Sequence, residues 1–233
     1  EQRNRILIDH MSDILLPYNK YHRENLIREN IHPSKIFCTG NTTFEAMREF
    51  APQIDKSDIL SKLSLSKKEY ILVTAHRSEN VDDKNNLATI IEAMGMIAKN
   101  FKMEVIYPMH PRTQSKLEGI QVPENIRIMN PLGFYDFNKI LKESFCVVSD
   151  SGTAAEEGLF YKVPNVSLRM ATERPETVES GATIVSGMNM QNIVDSVETA
   201  TTMPWSGNYE LEEGKSPSAV VINTIRTQIT NFF

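Results

Sequence analysis

Short apolar segments alternate with helical segments from residue 70 onward, and this alternation limits the possible folds more than any other feature. One segment between them, residues 85–98, places its apolar side chains on a single helical face. Short buried strands joined by amphipathic helices predict an α/β fold with a parallel sheet built from βαβ units. The six strand candidates are Tyr70–Thr74, Glu104–Tyr107, Ile126–Met129, Phe145–Val148, Asn165–Leu168 and Thr183–Val185.

Residues 147–158 combine a strand end, a turn of small residues and a helix start. The strand runs into Ser149–Gly152, and the helix is predicted to begin at Thr153. Such a turn presents free backbone N–H groups and a positive helix end to an anion. Ser151 adds a hydroxyl, Gly152 permits close approach, and Glu157 can accept hydrogen bonds from sugar hydroxyls. A sugar nucleotide fits this combination, and so does an ordinary strand-to-helix junction.

Four further polar clusters follow strands, where parallel sheets bind ligands. Residues 74–80 offer a cation, a titratable imidazole and a carboxylate, or an exposed loop with an ion pair. Residues 107–113 hold a histidine between prolines, which positions the side chain or caps the next helix. Residues 130–137 present an aromatic face to a base, or core residues at a helix start. Residues 169–176 suggest anion binding, or a solvated loop.

Composition excludes several classes of function. The 233 residues carry a net charge of −5, which does not favour nucleic acid or an anionic membrane as a partner. No segment reaches the ~20 apolar residues of a membrane span, and no signal peptide is recognisable. The sequence has no Walker A motif, no G-x-G-x-x-G and no zinc-ligand spacing, so no cofactor and no metal are expected. Cys38 and Cys146 are expected to be buried thiols in a reducing cytoplasm.

The terminal regions give weaker patterns. Helices are predicted over 3–14 and 20–30, short strands over 14–19 and 36–38, and a helix N-cap at 41–42. A last helix carries Val221, Ile225 and Ile229 at i+4 spacing. One domain is expected over 41–215, and residues 1–40 do not form a self-contained unit. The initial residue is Glu, which suggests a shortened chain.

Ordered motifs extend over most of the chain. They are Gly40-Asn41-Thr42, Thr-x-His-Arg-x-Glu-Asn at 74–80, Pro-x-His-Pro at 108–111, Pro-Leu-x-aromatic at 131–134, Ser-Asp-Ser-Gly-x-x-x-Glu-Glu at 149–157 and Thr-Glu-Arg-Pro-Glu at 172–176. In these motifs the chain resembles the non-hydrolysing UDP-N-acetylglucosamine 2-epimerases.

The resemblance implies the C-terminal half of a glycosyltransferase-B architecture, with two Rossmann-like domains. Residues 1–40 would then be the tail of a missing N-terminal domain, 41–215 the UDP-binding domain, and 216–233 a helix packing back toward the N-terminal domain. It further implies a cytoplasmic enzyme, a homodimer in the full-length protein, and a UDP-sugar substrate.

The resemblance also implies roles for individual residues. Phe134 and Phe137 would contact the uracil and Glu157 the ribose. His76 would be catalytic, near the diphosphate and sugar, where it stabilises the departing UDP together with Ser151 and the helix start. The remaining implied positions are Ser151, Gly152, Thr153 and Arg174 for the substrate, Glu1 as a catalytic carboxylate, and Arg77 and His110 for a second, regulatory UDP-sugar.

The implied activity is conversion of UDP-GlcNAc to UDP-ManNAc by UDP elimination and re-addition, for surface polysaccharide or capsule precursors. Thr153 and Ala155 replace the Gly and Gln common in the family. This departure resembles a sub-branch that acts on UDP-2-acetamido-2,6-dideoxyhexoses. One further hypothesis is a glycosyltransferase on the same architecture, because fold does not determine chemistry. Another is a UDP-binding module without catalysis, because half of the implied cleft would be missing.

Overall fold

The computed structural model describes residues 2–203 and 216–232. The backbone forms two compact units, one spanning Glu1–Glu49 with Glu210–Phe233 and the other Phe50–Tyr209. In the described part of the chain, one sheet of six parallel strands lies in the larger unit, in the order β3-β2-β1-β4-β5-β6. The strands are β1 (Tyr70–Thr74), β2 (Glu104–Pro108), β3 (Ile126–Met129), β4 (Cys146–Ser149), β5 (Asn165–Ser167) and β6 (Thr183–Val185).

The α/β fold and all six strand predictions are confirmed. Three strands have the predicted bounds, and each end of the other three differs by at most one residue. The helices of the larger unit are α4 (Ala51–Lys56), α5 (Ile59–Lys62), α6 (Ser78–Val81), α7 (Lys84–Phe101), α8 (Pro111–Gln114), α9 (Phe134–Glu143), α10 (Gly152–Tyr161), α11 (Pro175–Glu179) and α12 (Met190–Thr202). A 3-10 turn spans Ser115–Leu117.

The sheet is buried on both faces. Along β1, Ile71 and Val73 join one apolar cluster, whereas Tyr70 and Leu72 join the other. Helices α7 and α12 contribute to the first cluster, and α5, α9 and α10 contribute to the second. This arrangement follows from the period-2 alternation of a strand, which sends successive side chains to opposite faces.

Helix α7 confirms the helix predicted over 85–98 and extends it at both ends. The Asp83 side chain accepts the N–H groups of Asn85 and Asn86 at 2.8 and 3.1 Å, which caps the first turn. Lys102 ends the helix in the left-handed conformation, with φ of 54°. The predicted apolar face, including Leu87 and Ile90, is buried against the sheet.

The smaller unit is mainly helical. Its helices are α1 (Gln2–Met11), α2 (Lys20–Arg28), α3 (Thr42–Glu49) and α13 (Pro217–Phe232), and a 3-10 turn spans Pro33–Lys35. A cluster of Leu15, Leu26, Ile31 and Ile36 forms its buried core. The Glu45 carboxylate of α3 accepts the Ser218 N–H at 3.0 Å, which satisfies a donor at the start of α13.

Two expectations for the terminal regions are corrected. The strands predicted over 14–19 and 36–38 do not form. The two segments share one isolated parallel bridge, between Leu15 and Ile36. Cys38 is exposed, whereas Cys146 is buried as expected. None of the described helices combines the length and apolar character that crossing a bilayer requires.

Replacing Tyr107 with Phe should destabilise the larger unit. The buried Tyr107 hydroxyl donates to the Ala75 carbonyl at 2.9 Å, at the end of β1. Without it the carbonyl is left unsatisfied, so the free energy of unfolding should fall by about 1–3 kcal/mol. Urea unfolding would measure this loss. The exposed Tyr135, changed in the same way, serves as control and should alter stability by less than about 0.5 kcal/mol; equal stability of the two variants would contradict the role of this hydroxyl.

Candidate functional site

The strand order reverses between β1 and β4, which places a topological switch point at their carboxyl ends. From β1 the sheet continues through β2 to β3, and from β4 it continues through β5 to β6. Ligands of open parallel sheets bind in the crevice at such a point. The loop after β1, which carries His76 and Arg77, lies here next to the turn after β4, which carries Asp150 and Ser151.

Asp150 connects these two segments. Its carboxylate is fully buried and accepts the His76 N–H at 3.1 Å on each oxygen. One oxygen also accepts the Arg77 N–H at 2.9 Å and the side-chain amide of Asn80 at 3.0 Å. The same Asn80 amide donates to the Leu168 carbonyl at 3.1 Å, so the loop after β5 is held as well. One carboxylate therefore organises three of the strand ends.

The His76 ring lies beside this carboxylate. Its Nδ1 atom is 3.7 Å from the Asp150 Oδ1 atom, and the side chain is 58% exposed. The Arg77 guanidinium extends instead to the Glu79 carboxylate at 3.4 Å, so the loop does contain the ion pair of its second interpretation. Of these two side chains, His76 is therefore the one that lies beside the switch point.

Helix α10 begins one residue earlier than predicted, at Gly152, with Ser151 as its N-cap. The Ser151 N–H donates to the Ser149 hydroxyl at 2.9 Å, while the Ser151 side chain makes no capping hydrogen bond. A helix whose N-cap side chain does not cap it leaves first-turn N–H groups available to a ligand. Gly152 lies inside the first turn and Thr153 is exposed. Anion binding at this turn stays a prediction.

Arg174 adds a positive charge at this helix start. A Cβ atom at position 152 would lie 3.8 Å from the Arg174 guanidinium carbon. The guanidinium is oriented by the buried Glu156 carboxylate, which accepts from Nε at 2.7 Å. A charged, hydrogen-bonded guanidinium next to a helix N-terminus suits a phosphate group.

Glu157 is buried next to Glu156 and has a perturbed pKa. Burial, and then the charge of Glu156, raise the pKa of Glu157 to about 8. No hydrogen bond joins its carboxyl to the residues that the structure describes. A buried carboxyl without a donor is ready to accept hydrogen bonds from a ligand.

A cavity of about 480 Å³ opens at the carboxyl ends of β1, β2 and β3. Its volume is in the range of small-molecule sites. One part of the wall carries His110 with Arg112 and Lys116, which are both paired with the Asp82 carboxylate. Another part is apolar, with Leu132 and Phe137. The other lining residues are Thr74, Ala75, His76, Ser78, Val81, Asp82, Pro108, Thr113 and Pro131.

The structure distributes most of the predicted site residues over two places. His76, Phe137 and His110 line this cavity. Residues of the second group lie along the start of α10 or next to it: Ser151, Gly152, Thr153, Glu157 and Arg174. Glu1 lies outside the described residues. The roles given to all of these residues stay predictions.

Two predicted residues have other local contacts. The exposed Phe134 does not line the cavity and packs instead with Phe50 and Tyr135, at centroid distances of 6.1 and 5.7 Å. His110 caps α8, because its Nδ1 accepts the Arg112 N–H at 3.2 Å. The capping interpretation of this histidine is therefore confirmed, and the exposed side chain still faces the cavity.

Three buried polar residues of the site, Asp150, Asn80 and Glu156, have no role predicted from the sequence. All three lie inside the quoted motifs. A carboxylate directly after an apolar strand, as at Asp150, is the signal that could have identified it, since a buried charge requires several donors.

Three comparisons with known proteins agree. The sequence profile of the UDP-N-acetylglucosamine 2-epimerase family matches residues 1–217. A UDP-N-acetylglucosamine 2-epimerase of Methanocaldococcus jannaschii is 34% identical over 230 residues, which are 95% of this chain and 63% of the relative. A UDP-2,3-diacetamido-2,3-dideoxy-D-glucuronate 2-epimerase of Pseudomonas aeruginosa is 32% identical over 203 residues, 86% of this chain and 56% of the relative.

Solved structures give the same result. The crystal structure of the Methanocaldococcus jannaschii UDP-GlcNAc 2-epimerase, in complex with UDP-GlcNAc and UDP, superposes with a TM-score of 0.86 at 33% identity. The match covers 98% of this chain and 64% of that one. An S. aureus MnaA–UDP structure superposes with a TM-score of 0.82 at 28% identity, covering 99% and 64%. The chain thus spans slightly less than two thirds of these proteins.

Replacing Glu157 with Gln should stabilise the protein in a pH-dependent way. The folded-state pKa lies near 8, above the ordinary value of 4.5, so the folded state holds a proton that the unfolded state loses. Wild-type stability should therefore fall as pH rises from about 4.5 to 8, at about 1.4 kcal/mol per pH unit at most. The Gln variant escapes this loss.

Urea unfolding at several pH values would test this expectation. The variant's advantage should be near zero at about pH 4 and reach roughly 2–4 kcal/mol at about pH 8.5. Changing the exposed Glu92 of α7 to Gln gives the matched control, for which no such trend is expected. A pH-independent difference between wild type and the Glu157 variant would contradict the raised pKa.

Proposed function

Because the chain belongs to the UDP-N-acetylglucosamine 2-epimerase family, we propose that it carries the UDP site of an enzyme that interconverts UDP-GlcNAc and UDP-ManNAc. The observation that carries this proposal is the hydrogen bond of His76 to Asp150, in the turn that leads into α10, at the switch point of the sheet. The relatives are longer than this chain, so the activity of the whole protein is part of the proposal.

The helix start and the neighbouring cation are assigned to the diphosphate. The first-turn N–H groups at Gly152, the Ser151 hydroxyl and the Arg174 guanidinium lie together there. Preorganised donors of this kind stabilise negative charge that develops in a transition state. They would therefore serve the enzyme when UDP departs, in addition to binding it.

The nucleoside is assigned to Glu157 of α10 and to two phenylalanines of α9. Glu157 accepts hydrogen bonds from the ribose hydroxyls, which supply the donors that its buried carboxyl lacks among the described residues. Phe137, on the apolar wall of the cavity, contacts the uracil. Phe134 keeps the same proposed role from the start of α9. Arg77 and His110 are assigned to a second, regulatory UDP-sugar.

The proposed reaction proceeds by elimination and re-addition. The C2 proton is removed, the C1–O bond breaks, and UDP leaves a 2-acetamidoglucal. UDP then adds back at C1 while C2 receives a proton on its opposite face. This route needs carboxylates as acid and base on the two faces of the sugar. We assign one of these roles to Glu1 and the binding of the leaving group to the described residues.

A second candidate substrate is a UDP-2-acetamido-2,6-dideoxyhexose. Thr153 and Ala155 in the first turns of α10 favour it, since they replace the Gly and Gln common in the family. The Pseudomonas aeruginosa relative is named for a different UDP-sugar again, so specificity within the family extends beyond one sugar. We further propose that the full-length protein is a cytoplasmic homodimer that supplies precursors of surface polysaccharide.

Calorimetric titration of the chain with UDP tests the nucleotide site. Replacing Glu157 with Ala should weaken UDP binding by about 1–3 kcal/mol, roughly 5- to 150-fold, because hydrogen bonds to the ribose are lost. The exposed Glu92, changed to Ala, should leave the affinity unchanged. Unchanged affinity in the Glu157 variant would remove this residue from the site, and no UDP binding by the folded wild-type chain would contradict the assignment of the site.

Incubating the whole protein with UDP-GlcNAc in deuterium oxide distinguishes epimerase from glycosyltransferase. The epimerase should produce UDP-ManNAc with deuterium at C2 without any acceptor, since its mechanism removes the C2 proton. Nuclear magnetic resonance of the sugar protons would follow both changes. Turnover that requires an acceptor and leaves C2 unlabelled would establish the transferase instead.

A further inference from the structure

We infer that Asp150 is a positioning residue for His76: it holds the loop after β1 and orients the imidazole so that Nε2 is the nitrogen facing the cavity. The inference deepens the proposed function and rests on it, because it gives His76 a defined role toward the departing diphosphate. All the contacts of Asp150 that support it lie within the larger unit.

Asp150 is fully buried directly after β4. A fully buried carboxylate is strongly unfavourable unless donors surround it. Here the donors are the N–H groups of His76 and Arg77 and the amide of Asn80, at 2.9–3.1 Å. None of these bonds belongs to the ladder of the sheet. The carboxylate therefore specifies the conformation of one short loop, the loop that carries His76.

The ring of His76 lies beside the Asp150 carboxylate. Because the backbone N–H of His76 is hydrogen-bonded to both oxygens of Asp150, the imidazole is held next to this carboxylate. The Nδ1–Oδ1 distance of 3.7 Å exceeds a hydrogen bond, and contacts of this kind tighten when a ligand is bound. A carboxylate beside Nδ1 favours the tautomer with a proton on Nδ1. Nε2 then remains for the cavity that His76 lines.

This orientation of the ring has a consequence for the proposed reaction. When the C1–O bond breaks, UDP carries away the electron pair, and negative charge grows on its β-phosphate. A ring held through Nδ1 can present Nε2–H, when protonated, to that oxygen without rotating first. Preorganisation of this kind contributes to the rate because no group has to be reoriented in the transition state.

Nitrogen nuclear magnetic resonance of labelled histidine in the chain tests the orientation directly. The measurement is made at about pH 9, well above the ordinary imidazole pKa, and the nitrogen couplings report which ring nitrogen holds the proton. The His76 signal is assigned among the five histidines by its loss in His76→Gln. We expect the Nδ1–H form to dominate in the wild type and to lose its preference in Asp150→Asn. A wild-type Nε2–H form, or an unchanged ratio in the variant, would overturn the inference.

A UDP titration separates positioning from simple loss of stability. Asp150→Asn should weaken UDP binding about tenfold, since the loop and ring lose their orientation. Asn80→Ala removes one hydrogen bond to Asp150 but keeps the carboxylate. It should lower the melting temperature, change UDP affinity less than about threefold and preserve the Nδ1–H form. Equal losses of affinity in two equally destabilised variants would reduce Asp150 to a structural residue.

The outcomes remain separable when one variant fails. If Asp150→Asn does not fold, the tautomer of the wild-type protein still decides the orientation. If the wild-type chain does not bind UDP, the proposed function fails, and the tautomer measurement, which needs no ligand, still decides whether Asp150 orients His76.

Discussion

The carboxylate of Asp150, buried at the end of β4, is the interaction on which the site depends. Its charge requires donors, and the protein supplies them from the loop after β1 and from Asn80 in α6. Because Asn80 also bonds the Leu168 carbonyl, the ends of β1, β4 and β5 are tied together. The order in which strands are added to the sheet reverses between β1 and β4. The hydrogen-bond network of Asp150 therefore lies at the place where a parallel sheet is expected to bind its ligand.

Three buried acids near the switch point are stabilised in three different ways. Asp150 accepts N–H groups, and Glu156 is paired with the Arg174 guanidinium at 2.7 Å. Glu157 has neither kind of partner among the described residues, and burial, followed by the charge of Glu156, raises its pKa to about 8. The first two acids thus stabilise the arrangement of the site. The third, Glu157, is left to accept hydrogen bonds from the hydroxyl groups of a ligand, which is consistent with its proposed contact to the ribose.

The local patterns predicted the sheet well and the terminal regions less well. Strands such as Tyr70–Thr74 and helix α7 were predicted because their apolar residues repeat with the period of the element that buries them. The apolar residues around Leu15 and Ile36 were predicted to form strands, but they pack in a small helical core and share one bridge. The motif assigned Phe134 to the site, a role that stays a prediction, and the structure adds its packing with Phe50. Such contacts join distant parts of the chain, which local periodicity does not report.

The sequence by itself determined the α/β class, the order of strands and helices, and the family, because these depend on periodicity and on motifs of neighbouring residues. Only the tertiary structure decided which strand ends meet. It placed Asp150 beside His76, 74 residues away in the chain, and paired Glu156, the neighbour of Glu157, with Arg174. The physical reason is burial. A carboxylate needs hydrogen-bond donors from the protein only where its surroundings exclude water, and these surroundings exist only once the sheet has brought the carboxyl ends of its strands together.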